Sequence, residues 1–123
     1  MSNPKEQEIA SLRAWSESAP YWDKHASTIR AMFEPLSDAL IEDAALGPGK
    51  SALDVAAGTG EPSLRIAEVC GPSTSVTCTD PVADMIAVAK RETRRRNTAP
   101  PVRLRRKARS SARSLETRRA FAP

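Results

Sequence analysis

The spacing of apolar residues in the first 46 residues predicts two helices. A polar helix is predicted from about Pro4 to Glu17, and an amphipathic helix starts near Ser27. Pro35 is expected to break or kink the second helix, and Gly47-Pro48-Gly49 to end the helical region. The apolar stripe of the second helix recurs at i, i+3, i+4, i+7 and i+11: Ile29, Met32, Phe33, Leu36 and Leu40.

After residue 47, short apolar runs alternate with helical segments. Residues 51–56 and 75–79 are predicted to form two short buried strands. The first leads into a helix over about residues 62–70. The second leads into a helix that opens at Asp80-Pro81 and places Val82, Ile86 and Ala89 on one face. This order of strand, helix, strand and helix is typical of a parallel sheet in an α/β protein.

A glycine-rich segment follows the first predicted strand. It reads Leu53-Asp54-Val55-Ala56-Ala57-Gly58-Thr59-Gly60, and Asp80 stands at the end of the second strand. Two glycines let the backbone turn sharply and approach a ligand, while the start of the next helix attracts an anion. An acidic side chain at the end of the neighbouring strand can accept both hydrogen bonds of a ribose diol. The pattern therefore predicts a site for a nucleoside-containing cofactor.

Two classes of cofactor fit such a site, and two residues separate them. Dinucleotide sites favour glycine or alanine at the third position of G-x-G-x-x-G, where this chain has Ser63 after Pro62. Asp54, four residues before Gly58 within the strand, instead favours the second class, a nucleoside-containing cofactor that is not a dinucleotide.

At these residues the chain resembles the class I S-adenosylmethionine-dependent methyltransferases, and most closely the branch of the ubiquinone and menaquinone C-methyltransferases. The resemblance covers about residues 12–92 and implies a truncated Rossmann-like methyltransferase fold of the α/β class. It implies S-adenosyl-L-methionine as the cofactor and a small-molecule methyl acceptor of quinone type. The motifs that carry it are residues 53–61, Thr79-Asp80-Pro81 with Met85, Leu46-Gly47-Pro48-Gly49, and Trp15, Ala19, Tyr21 and Lys24.

The resemblance also implies a role for individual residues. Asp54 would order the glycine loop, Gly58 and Gly60 would line the methionine portion of the cofactor, Asp80 would bind the ribose hydroxyls and Met85 would touch the adenine. No catalytic residue is predicted, because methyl transfer depends mainly on positioning and desolvation. The remaining predicted cofactor-binding residues are Ala56, Thr59, Pro81 and Tyr21.

Structural interpretations of the same residues remain open. Gly58 and Gly60 could form a tight turn without a ligand, and Met85 could belong to the core. Asp80 could be a helix N-cap with Pro81 at the first helical position. An aromatic cluster could either cover the cofactor or staple the N-terminal helices together: Trp15, Tyr21 and Trp22.

Charge divides the 123 residues into two parts. The formal net charge is +4, but residues 1–90 carry −6 and residues 91–123 carry +10, so the basic average is no evidence for a nucleic-acid partner. The last 33 residues contain 11 Arg and few apolar side chains, so we expect disorder there beyond the helix that runs into this segment. The predicted regions are a helical cap over 1–46, a partial cofactor-binding unit over 47–96 and an Arg-rich tail over 97–123.

The Arg-rich tail has three interpretations: the product of a shifted reading frame, an arm that binds nucleic acid or another anion, or a solvated extension. Val102-Arg103-Leu104 could begin a third strand, but Arg and Lys follow it where the family has an acidic residue. Without a fourth strand, the first strand would keep an open edge. We expect little or no turnover from this form, and the alternative function is a non-catalytic fragment or pseudoenzyme with an anion-binding tail.

The remaining sequence features indicate a cytoplasmic protein. Cys70 and Cys78 form neither a disulfide framework nor a paired zinc motif, and no leader segment opens the chain. The apolar runs are too short to span a bilayer. His25 has no partner at metal-ligand spacing, so no metal site is predicted. The sequence does not indicate an oligomeric state.

Overall fold

A computed structural model describes residues 3–98 and 102–106. The predicted fold class is confirmed: helices come first, and a parallel sheet with connecting helices follows. In chain order the elements are α1 (Pro4–Lys24), α2 (Ala26–Asp43), β1 (Ser51–Val55), α3 (Ser63–Cys70), β2 (Ser75–Asp80), α4 (Ala83–Arg95) and β3 (Val102–Arg106).

The sheet has three parallel strands in the order β1-β2-β3. Val55 lies beside Thr79, and Asp80 lies beside Arg106, so the carboxyl ends of the strands meet at one edge of the sheet. Within the described residues β1 has a neighbour on one side only, as expected for a first strand without a fourth.

The third strand, β3, confirms that Val102-Arg103-Leu104 begins a strand, and it pairs with β2 from Val102 to Arg106. It lies inside the segment 97–123, so the expectation of disorder is wrong for residues 102–106, where pairing with β2 satisfies the backbone. The remainder of that segment, residues 99–101 and 107–123, lies outside the described residues.

Both N-terminal helices run through a proline. α1 continues seven residues past its predicted end at Glu17 and includes Pro20, and α2 includes Pro35. Of the two effects expected of Pro35, a break of the second helix is therefore wrong, and a kink stays a prediction. Both prolines are exposed, so water can bond to the carbonyl group that loses its helical partner.

α2 ends before the glycines that were expected to stop it. The backbone N–H of Leu46 donates to the carbonyl of Ile41 at 3.1 Å, and that of Ala45 donates to Glu42 at 2.9 Å. This is the Schellman arrangement, and it requires a left-handed residue, here Ala45 with φ 50°. An alanine therefore takes the position at which glycine is the usual residue.

The core lies on the face of the sheet that carries α3 and α4. Leu64, Val76 and Cys78 are fully buried there, which agrees with the prediction that Cys78 acts as a small apolar group. The predicted face of α4 is buried as well. The opposite face of the sheet exposes Leu53 to 67% and Val55 to 60%, because no described helix packs over them.

Candidate functional site

The loop between β1 and α3 turns through three left-handed residues. Ala56, Gly58 and Gly60 have φ angles of 58°, 58° and 110°. A Cβ atom on Gly60 would lie 3.0 Å from the side chain of Leu64, whereas one on Gly58 would meet nothing within 4 Å. Gly60 thus permits close packing of the loop on α3, and Gly58 leaves an open approach to its backbone.

The carboxylate of Asp80 joins the ends of β1 and β2. One oxygen accepts a hydrogen bond from the backbone N–H of Gly58 at 2.9 Å, and the other accepts one from Val82 at 2.8 Å. The alternative that Asp80 is the N-cap of the next helix is wrong, because the N-cap is Val82 and α4 begins at Ala83. A carboxylate has about four acceptor positions, so Asp80 can accept further hydrogen bonds from a ligand.

Asp54 connects β1 to the first turn of α3. Its Oδ2 accepts a hydrogen bond from the Ser63 hydroxyl at 2.7 Å. Burial raises the pKa of Asp54 above its ordinary value; hydrogen bonds from Ser63 partly oppose this rise, and the nearby charge of Asp80 adds to it. Ser63, which departs from the dinucleotide motif, therefore serves as the partner of the acid within the strand.

A cavity of about 490 Å³ opens between this loop, the start of α4, and helices α1 and α2. Its volume lies in the range of small-molecule sites. The carboxyl ends of β1 and β2 and the residues that follow them form one side: Ala56, Ala57, Gly58, Thr59, Glu61, Pro62, Asp80, Pro81, Val82 and Met85.

The other side of the cavity is an apolar wall from α1 and α2. The indole rings of Trp15 and Trp22 lie 6.5 Å apart between centroids and are tilted by 42°. Most of the predicted apolar stripe of α2 lies here and does not enter the core. The residues that α2 buries are instead Ser37 and Ile41. The wall consists of Trp15, Trp22, Ile29, Phe33, Leu36 and Leu40, with Ser37 among them.

The structure brings six of the nine predicted cofactor-binding residues to the cavity: Ala56, Gly58, Thr59, Asp80, Pro81 and Met85. Asp54 and Gly60 support the loop from behind and do not line the cavity. Tyr21 is 69% exposed and lies outside it, whereas Trp15 and Trp22 of the same cluster line it.

Sequence reasoning missed the α2 wall as a lining surface, and with it four residues of the opposite side: Ala57, Glu61, Pro62 and Val82. The signal for the wall was present in the stripe at i, i+3 and i+4, but periodicity alone does not tell a core face from a cavity face.

The described residues contain no group of three acidic, histidine or cysteine side chains placed to hold a metal ion. Among the helices of residues 3–98, none has the length and apolar character needed to cross a membrane.

Comparison with known families agrees with this geometry. The family model described as a methyltransferase domain matches residues 52–120, more than half of the chain. The chain therefore belongs to the methyltransferase domain family. The match continues past residue 92, where the motif resemblance ends, and includes most of the Arg-rich segment.

Solved structures of related fold cover part of the chain. A candidate S-adenosyl-L-methionine-dependent methyltransferase from Methanococcus maripaludis superposes with a TM-score of 0.65 at 18% identity, over 76% of this chain and 42% of its own, which shows the fold alone. Coclaurine N-methyltransferase, bound to N-methylheliamine and S-adenosylhomocysteine, gives 0.56 at 26% identity, over 60% of this chain and 21% of its own. The [4+2]-cyclase SpnF superposes with a TM-score of 0.55 at 28% identity, over 60% of this chain and 26% of its own.

This chain spans less than half the length of each of these structures. None of the curated proteins compared with the chain matches it.

Family and fold together confirm the predicted class, the S-adenosylmethionine-dependent methyltransferases, and its cofactor. The comparisons single out no branch of the family. The residues present fit the cofactor, since the open side of Gly58 and the carboxylate of Asp80 face one cavity that is large enough to hold it.

Proposed function

We propose that this chain binds S-adenosyl-L-methionine in the cavity and forms the cofactor-binding part of an enzyme that methylates a small molecule with a quinone-type ring. The observation that carries the proposal is the hydrogen bond between Asp80 and Gly58, which holds a carboxylate and a glycine turn at one end of the cavity. When bound, the cofactor supplies an electrophilic methyl group on its sulfonium sulfur.

The chain's own residues would bind and orient the cofactor. Asp80 would accept hydrogen bonds from the ribose hydroxyls, as acidic side chains do at this position of nucleotide-binding sheets. The backbone at Gly58 would admit the methionine portion, and Pro81 and Met85 would present an apolar surface to the adenine. The two carboxylates that line the cavity are engaged, Asp80 by two backbone N–H groups and Glu61 by Arg96. Rate acceleration would therefore come from alignment and from exclusion of water by the apolar wall.

The composition of the wall supports a planar, apolar acceptor. Both tryptophans of the chain and one of its two phenylalanines line the cavity: Trp15, Trp22 and Phe33. Aromatic faces and edges pack favourably against flat rings, by about 0.5–1.5 kcal/mol per pair beyond area burial. A quinone-type ring fits this wall better than a charged acceptor, which would lose its hydration there.

We expect the chain by itself to bind the cofactor but to turn over little substrate. The matched part of this chain covers less than half of each solved relative, so we expect further structure to be needed to enclose the acceptor. A reducing location such as the cytoplasm remains our expectation, and the two cysteines, both unpaired, support it.

Intrinsic fluorescence tests the proposal directly, because both tryptophans of the chain line the cavity. Titration with S-adenosylhomocysteine should change the emission saturably, and NAD⁺ at the same concentrations should not. A quinone-type phenol should then quench the complex further.

Trp15→Phe and Trp22→Phe report which ring responds to each ligand. A full chain that gives no saturable change with S-adenosylhomocysteine would contradict the proposed cofactor site. Equal responses to NAD⁺ and S-adenosylhomocysteine would instead favour a dinucleotide site.

A further inference from the structure

Arg96, directly after α4, lies among carboxylates from three parts of the structure. Its side chain is only 8% exposed. Its Nε donates to Glu92 at 3.1 Å, its Nη1 donates to Glu61, and the same nitrogen lies 3.9 Å from Glu68. Three carboxylates around one nearly buried guanidinium make this an ion-pair network and not an isolated surface pair.

The end of α4 fixes where Arg96 points. Asn97 adopts a left-handed conformation with φ 52°, and the backbone N–H of Thr98 donates to the carbonyl of Thr93 at 3.0 Å. This Schellman ending holds the last turn of α4 closed. The other two carboxylates have partners of their own, since Arg95 pairs with Glu92 and Arg30 with Glu68 at 2.9 Å. Among the described residues, Arg96 is the one cation paired with Glu61.

Glu61 belongs to the glycine loop and lines the cofactor cavity. It lies two residues before the start of α3, the helix whose N-terminus favours an anion. The methionine portion of the cofactor carries a carboxylate as well as an ammonium group. An unpaired Glu61 would repel that carboxylate, because like charges in a partly enclosed site interact more strongly than in water.

We propose that Arg96 is a positioning residue that neutralises Glu61 and fixes it in the glycine loop, so that the loop accepts the carboxylate of the cofactor's methionine portion. This inference rests on the proposed cofactor site and adds a residue that lies outside the cavity. The effect is specific to the amino-acid end of the cofactor. It does not extend to the nucleoside end, which Asp80 and Met85 face.

Two ligands separate this role from a general structural one. S-adenosylhomocysteine carries the amino-acid group, and 5′-methylthioadenosine has the same nucleoside and sulfur without it. Arg96→Gln in the full chain should weaken binding of S-adenosylhomocysteine by about tenfold, the order expected for one charge left uncompensated at partial shielding. The affinity for methylthioadenosine should stay within about twofold of the wild type. Calorimetric titration measures both.

Three further variants complete the experiment. Adding Glu61→Gln to Arg96→Gln should restore most of the affinity for S-adenosylhomocysteine, since the repelling charge is gone. Arg95→Gln removes an arginine that shares Glu92 but does not reach Glu61, so it should leave both affinities unchanged. If Arg96→Gln fails to fold, Arg96→Lys replaces it in the experiment. Lysine keeps the positive charge but holds Glu61 with fewer hydrogen bonds, so it should lose less affinity, and only for S-adenosylhomocysteine.

Three results would overturn the inference. They are an equal loss for both ligands, no recovery in the double variant, or an unchanged affinity for S-adenosylhomocysteine in Arg96→Gln. If the wild-type chain binds S-adenosylhomocysteine, these results leave the proposed cofactor site standing. A wild-type chain that binds neither ligand would overturn both proposals.

Discussion

The Asp80 carboxylate accepts a hydrogen bond from the backbone N–H of Gly58 at 2.9 Å, 22 residues earlier in the chain. The bond crosses from the end of β2 to the loop after β1. It gives one side chain two tasks, because the acid that would bind the ribose also fixes the turn beside it. The conformation of the glycine loop and the affinity for the cofactor should therefore be lost together.

Asp80→Ala should weaken binding of S-adenosylhomocysteine by about 30-fold or more. The substitution removes a charged acceptor of two backbone N–H groups as well as the ribose contact, and a hydrogen bond to a charged group contributes about 1.5–3 kcal/mol. Calorimetric titration measures the change. Asp84→Ala is the matched control, since Asp84 is exposed on α4 and pairs with Ser16, and its affinity should stay within about twofold of the wild type.

Asp54→Asn should become more stable relative to the wild type as the pH rises above about 4. The folded-state pKa of Asp54 is raised above 3.8, so the folded protein retains this proton longer than the unfolded chain. The wild type therefore loses stability as the pH rises from 3.8 through the folded pKa, and the variant does not. Urea unfolding at several pH values measures the difference.

Asp38→Asn provides the opposite case for the same experiment. The hydrogen bond from Arg65 lowers the pKa of Asp38. The Asp38 carboxylate therefore stabilises the fold above pH 3.8, and this contribution is lost as the pH falls through the folded pKa. The variant should therefore lose stability relative to the wild type as the pH rises. Parallel slopes for the two variants would contradict the assignment for Asp54.

Leu53→Lys should reduce self-association of the chain. Leu53 is exposed on β1, which has an open edge within the described residues, and apolar edge strands tend to pair with other chains. Light scattering over a concentration series measures the effect. Val69→Lys changes an exposed apolar residue on α3, away from the sheet edge, so an equal effect from it would argue against association through β1.

Ala45→Gly should raise the free energy of unfolding by about 0.5–1 kcal/mol. Ala45 holds a left-handed conformation that costs an L-residue about 1–2 kcal/mol, and the greater freedom of glycine in the unfolded chain offsets part of the gain. The neighbouring Ala44 has an ordinary right-handed conformation, so Ala44→Gly should not stabilise the protein. Chemical denaturation of both variants measures the contrast.

The strands and the glycine loop could be predicted because their signals are local. The predicted strands of residues 51–56 and 75–79 end within one residue of β1 and β2, and the buried face of α4 matches its apolar spacing. The ends of the N-terminal helices could not be predicted in this way. Pro20 and Pro35 are usually helix breakers, but they are tolerated here because they face solvent.

The order of Gly58, Gly60 and Asp80 along the chain predicted a nucleoside-containing cofactor, since turn geometry and strand ends follow from residue type over short distances. Asp54 and the resemblance to the methyltransferases then favoured S-adenosylmethionine over a dinucleotide. The tertiary structure decided which residues surround the cofactor. It brought the stripe of α2 to the cavity and not to the core, left Tyr21 outside, and paired Arg96 with Glu61 over 35 positions. Such contacts depend on how the helices pack against one another, and local spacing does not specify that packing.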